Sequence, residues 1–188
     1  MSRGFTMRGV RSAGRVAIAT ASVAVVAALG LASPASATAG TDADSAGSLA
    51  AQTCSTAGLG DPHTCAQAVT WAKNHRSTAY HSDYDGLCDH IAGLEYGFPH
   101  SGSTTAAVHW TQIPAAKKHA GDTSVPAGGL AFFGGGSGHV MISIGGGTFI
   151  SNDIHGAGTL TNTTIAEIKS KWGKPYLGWA QPWFKYNH

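Results

Sequence analysis

Gly138-His-Val-Met-Ile-Ser-Ile-Gly-Gly-Gly-Thr-Phe-Ile150, running on into Ser151-Asn-Asp153, is the stretch on which the fold turns. His139 to Ile144 reads as an apolar strand. Gly145 to Gly147 provide the unhindered backbone of a tight turn, and Thr148 to Ser151 read as the returning strand. Two short β-type runs about a glycine turn predict an antiparallel hairpin centred on Gly146. That hairpin brings Ser151, Asn152 and Asp153 back beside His139. Side chains alternate along a strand, so Ser151 and Asp153 are expected on one face and Asn152 on the other.

Outward from the hairpin the same period continues. Pro126-Ala-Gly-Gly129 is a turn, Leu130-Ala-Phe-Phe133 a short buried strand, and Gly134 to Gly138 a loop. Downstream, Thr164-Ile-Ala-Glu167 has the form of a capping box and opens a helix to about Trp172; Tyr176 to Trp179 reads as a last strand. Upstream the pattern is helical. Asp61-Pro62 predicts a helix start, with Cys65, Val69 and Ala72 on one stripe as far as about Arg76. A second helix is expected from Leu87 to Tyr96, capped by Asp85 and closed by Gly97 and Pro99. A short third, capped by Ser103, runs through Trp110. Helices first and an antiparallel sheet after them is the α+β pattern, here in a single domain over residues 54–188.

The N-terminal part has a different character. Arg3, Arg8, Arg11 and Arg15 precede an apolar run from Val16 to Leu31, and Ala35-Ser36-Ala37 follows as a small-residue cleavage site. Residues 1–37 thus read as a secretory signal peptide, and residues 38–53, rich in Ala, Gly, Ser, Thr and Asp, as a disordered leader. The signal holds four of the 12 Lys and Arg and none of the 10 Asp and Glu, so the exported part has eight cations against ten anions. A slightly acidic domain with no basic cluster argues against nucleic acid as partner. No later stretch is long and apolar enough to cross a membrane. The signal peptide leads to the expectation of a secreted protein, and a monomer is expected.

Cysteine usage carries the chemistry. Of Cys54, Cys65 and Cys88, the first two flank a short glycine-containing loop and are expected to pair, leaving Cys88 without a partner. Cys88 falls in the first turn of its predicted helix, where free N–H groups and the positive dipole end favour a thiolate, against which Asp89 works. A thiolate nucleophile needs a base. Of ten histidines, His139 stands apart, because it follows a glycine loop and begins the apolar strand. Asp153 is the first choice to orient its ring and Asn152 the second, with ordinary turn chemistry the competing account of both. Metal-ligand spacings and phosphate-loop motifs are missing, so no metal or cofactor is implied. The five tryptophans could stack on sugars or fill a core.

A helix-borne Cys, then Pro126-Ala-Gly-Gly-Leu-Ala-Phe-Phe133, then Gly138 to Ile150 with its Gly-His start resembles the NlpC/P60 family of cell-wall cysteine peptidases, related to the CHAP amidases. The resemblance spans about residues 65–180. It implies a papain-like fold and hydrolysis of an amide in peptidoglycan stem peptides, with Cys88 as nucleophile and His139 as base. A family Tyr that assists the oxyanion has Tyr84 and Tyr80 as candidates. Three positions depart from the family pattern. Leu87-Cys88-Asp89-His90 stands where Asp-Cys-Ser-Gly is usual, Gly129 replaces an Asp, and Ser151 occupies the third catalytic position, often His. The alternative is a non-catalytic secreted papain-like module that binds wall fragments or a protein partner.

Overall fold

A computed structural model describes residues 52–188, so the signal-peptide and most of the leader expectations lie outside the described residues. The helices are α1 (Cys65–Asn74), α2 (Cys88–Glu95), α3 (Ala106–Gln112) and α4 (Ile165–Trp172). The strands are β1 (Lys118–Ala120), β2 (Leu130–Phe133), β3 (His139–Gly145), β4 (Thr148–Asn152), β5 (Leu160–Thr163) and β6 (Tyr176–Ala180). All six strands form one antiparallel sheet in the order β1-β6-β2-β3-β4-β5. The protein is α+β, with three helices ahead of most of the sheet.

Alternation along the strands explains why β2 is apolar throughout. Leu130 and Phe132, with Val140, Ile142 and Ile150, face Ala68, Val69, Ile91, Ala92 and Ala106 of α1 to α3. Ala131 and Phe133, with Met141, Phe149 and Trp179, face the other way onto Ile168 of α4. A central strand covered on both sides has no polar face to show. The β3–β4 turn is the predicted one. Gly145, Gly146 and Gly147 all have positive φ, between 62° and 90°, a region that side chains disfavour.

Several boundaries differ from the sequence reading. Helix α1 starts at Cys65 rather than near Asp61. Thr64 and Gln67 form the capping box, with Thr64 Oγ1 accepting the Gln67 N–H at 3.3 Å and Gln67 Oε1 accepting the Thr64 N–H at 2.9 Å. Asp61 caps nothing. Its carboxyl oxygens are buried without partners among the described residues, and burial raises its pKa to about 7. Likewise Thr105, not Ser103, caps α3. Thr164 does cap α4, but the Glu167 carboxylate turns away to Thr163, His155 and Lys171, at 2.9, 2.8 and 2.8 Å. Strands β1 and β5 have no counterpart in the sequence reading. Both are short, polar edge strands whose pairing is decided by the neighbour they meet.

Cys54 and Cys65 form a disulfide that ties the start of the described chain to the first residue of α1. Gly128 packs directly upon it; a Cβ there would come within 2.5 Å of the Cys65 Cβ, and its φ is +92°. The Tyr96 hydroxyl, at the end of α2, donates to the Gly128 carbonyl. The bridge therefore joins α1, the α2 terminus and the turn into β2. Cys54→Ala/Cys65→Ala is expected to lose about 2–3 kcal/mol of unfolding free energy in the chain-entropy picture. Denaturant titration would measure this, and added reductant would shift only the wild type.

Candidate active site

Helix α2 begins at Cys88. Its N-cap, Leu87, offers no side-chain acceptor, and Asp85 does not cap it either; the Asp85 carboxylate lies 3.5 Å from the Tyr80 hydroxyl. The N–H groups of Cys88, Asp89 and His90 accordingly have no backbone acceptor, the usual condition of a first helical turn. What holds this turn is Asp153. One of its oxygens accepts the Gly86 N–H at 2.9 Å and the Asn152 Nδ2–H at 2.6 Å, and the other accepts the Gly158 N–H at 2.7 Å. Strand β4 ends at Asn152, and Asp153 takes φ +63°, so the alternation that would aim it at His139 is broken.

His139, the first residue of β3, is only 3% exposed. Its Nε2 lies 2.7 Å from Ser151 Oγ, and that hydroxyl donates in turn to the Asn152 carbonyl at 3.1 Å. With its own proton spent there, Ser151 accepts from Nε2–H, and Nδ1 is left as the basic nitrogen. Nδ1 has no hydrogen-bond partner among the described residues, and His139 lines a cavity. The edge of the ring meets Trp172 at 4.9 Å between centroids. Ser151, rather than Asp153 or Asn152, is therefore the side chain that orients His139. Asn152 instead donates to the Tyr84 carbonyl at 2.6 Å and to Asp153.

Cys88 and His139 line one cavity of about 330 Å³, together with Gly138, Asn152, Trp172 and Lys174. A second cavity of about 320 Å³ opens on the other side of Cys88, lined by Ser103, Thr104, Thr105, Ser137, His90 and His100 among others. Cys88 thus lines both recesses. Tyr84 and Tyr80 line neither. Tyr80 is 63% exposed and packs over Gly158.

Burial decides the protonation of the pair. It pushes the Cys88 thiol up to about 11; N–H groups of Val140 and Asp89 pull the other way, and the Asp89 and Asp153 carboxylates add to the rise. Burial therefore outweighs the pull of the helix terminus on this thiol, contrary to the expectation from position alone. Burial also lowers His139 to about 3, with the positive charge of Lys174 as the second cause. The resting pair is a thiol and a neutral imidazole.

Beneath Cys88 lies a network that the sequence reading did not single out. His109, fully buried, places Nδ1 2.6 Å from Asp89 Oδ1 and Nε2 2.6 Å from the Trp183 carbonyl. Both ring nitrogens of His109 thus lie within hydrogen-bond distance of an oxygen, one from the start of α2 and one from the C-terminal segment. The Ser101 hydroxyl donates to the other Asp89 oxygen. The readable signal was spacing: Ala106, His109 and Ile113 form the inward stripe of α3. Among the tryptophans, Trp179 and Trp183 fill the core and only Trp172 reaches the Cys88–His139 cavity.

Three measurements follow from these arrangements. Asp89→Ala leaves the buried His109 Nδ1 and the Ser101 hydroxyl without their shared partner and is expected to cost about 1–3 kcal/mol in denaturant unfolding. Alkylation of Cys88 in the free protein is expected to be slow at neutral pH and to rise about tenfold per pH unit toward 11. The neutral His139 contributes stability fully above 6.5, and this is lost as pH falls toward 3, so His139→Gln flattens that part of the acid limb.

No family model, no curated protein and no solved structure matches this chain.

Proposed function

We propose that the protein is a secreted cysteine hydrolase of the papain-like, NlpC/P60 kind, which cleaves an amide bond in peptidoglycan stem peptides. The observation that carries this reading is the shared cavity of Cys88 and His139, with Nε2 held by Ser151 and Nδ1 left unpartnered. The Cys–His order along the chain, a helix-borne thiol against an antiparallel sheet, and a polar partner twelve residues beyond His139 support it. The leading basic and apolar residues and the Cys54–Cys65 disulfide support an extracellular setting.

The chemistry begins from the neutral pair. As the substrate carbonyl approaches, the Cys88 proton passes to His139 Nδ1 while sulfur bonds to carbon. This timing is required because burial disfavours a standing ion pair. The carbonyl oxygen takes the negative charge and is held by the Cys88 N–H at the start of α2, which has no backbone acceptor. The imidazolium then returns its proton to the leaving amine, and the acyl group stays on sulfur. Water, deprotonated by His139, attacks the thioester and regenerates the thiol. Ser151 keeps the ring in the Nδ1-basic tautomer throughout. A hydroxyl stabilises the imidazolium less than a carboxylate does, a point that favours the second reading, a module that binds wall peptides without cutting them.

Purified protein and its variants on isolated cell walls separate the two. Cys88→Ala and His139→Ala are expected to lower release of new amino groups by about 10³-fold or more, and Ser151→Ala by about tenfold. Equal inertness of wild type and variants, with wall binding retained, would establish the binding module instead.

A further inference from the structure

The charges around the two recesses are almost all spent. Asp153 takes three N–H donors, and Asp89 is occupied by His109 and Ser101. Lys171, on α4, pairs with Glu167 at 2.8 Å. The hydroxyl-lined recess has no unspent charge from Asp, Glu, Lys or Arg. Lys174 is the exception. It lines the His139 recess, and its ammonium donates one hydrogen bond, at 2.9 Å, to the Gly135 carbonyl, so two N–H bonds have no partner among the described residues.

Its position is built. Gly173 ends α4 in the left-handed conformation, at φ +64°, and its N–H bonds the Lys169 carbonyl. One residue beyond Lys174, the Pro175 carbonyl accepts the Gly134 N–H at 2.8 Å. The segment bearing Lys174 is thereby clamped to the loop that leads into His139, and the ammonium bonds that same loop. An ammonium fixed beside the base in a part-buried recess is matched by an anion on whatever occupies that recess.

Building on the cysteine-hydrolase reading, we propose that Lys174 is the specificity-determining residue of this site and binds a carboxylate of an anionic peptide next to the scissile amide. Stem peptides carry such carboxylates, and amidation of one removes its charge while keeping its shape. The same contact aids the chemistry. Lys174 is the second cause of the low basicity of His139, so a carboxylate that neutralises it makes the imidazolium easier to form once substrate is in place. An amidated substrate leaves that opposition standing.

The test uses two synthetic stem peptides that differ only in a free or amidated carboxylate beside the cleaved bond, with wild type, Lys174→Gln and Lys174→Arg. Wild type is expected to favour the carboxylate by roughly 10- to 100-fold in kcat/KM, the range for a hydrogen bond to a charged group. K174Q is expected to erase the preference, by losing on the carboxylate peptide and not on the amidated one, and K174R to keep most of it. An unchanged preference in K174Q, or none in wild type, overturns the proposal. If wild type cleaves neither peptide, the hydrolase reading fails by itself, and calorimetric binding of the same pair to Cys88→Ala, with and without Lys174→Gln, decides the carboxylate site. Selective binding lost with K174Q upholds it; equal binding, or no binding, overturns it.

Discussion

The Asp153 carboxylate is the contact on which the site depends. Its three accepted N–H bonds come from the turn two residues before Cys88, from the end of β4 and from the loop leading to β5. A hydrogen bond to a charged group contributes about 1.5–3 kcal/mol. Three of them outweigh the cost of a left-handed non-glycine residue, roughly 1–3 kcal/mol. Their effect is positional: they hold the turn before α2 against the end of β4, the strand paired with β3, and Cys88 and His139 line one cavity. On the far side of Cys88, Asp89 performs the same service through His109 and Ser101. The thiol is thus flanked by two anchored carboxylates, neither of which is free to act on substrate.

Burial, with those carboxylates acting on the thiol and Lys174 on the imidazole, accounts for the electrostatics of the site. A helix N-terminus favours a thiolate by a modest amount at the surface. Taking the sulfur out of water and placing it near two negative groups costs more, and the thiol rises to about 11 while the imidazole falls to about 3. The pair rests neutral, and in the proposed hydrolysis charge would separate only as substrate supplies an acceptor for it. In that proposal the unspent lysine is one way for an anionic substrate to lower the cost.

Much of the fold was legible because it follows from local chemistry. The glycine turn at 145–147, the apolar runs at 130–133 and 139–144, the Thr164 cap and the pairing of the two nearby cysteines each follow from residues close in sequence. The candidate pair Cys88 and His139 was also legible, from a lone thiol and a histidine opening a strand. The misreadings share one cause. Asp61, Asp85 and Ser103 have the right chemistry for caps, but Thr64 and Thr105 reach the helix N–H groups and Leu87 occupies the α2 cap position. Composition cannot choose between caps a few residues apart.

Residue chemistry and period determined the α+β class, the hairpin, the disulfide and which thiol was left over. Tertiary structure alone decided that Ser151 rather than Asp153 faces the imidazole, since one left-handed residue ends the alternation. It alone decided that His109 is buried between Asp89 and the Trp183 carbonyl, and that Lys174, 35 residues beyond His139, shares the cavity of His139. Strand period and helix stripe depend on nearest neighbours, and a sequence displays those. The protonation of a thiol, the partner of a ring nitrogen and the charge left unspent in a cleft depend on groups brought together through space, and only the folded chain sets those distances.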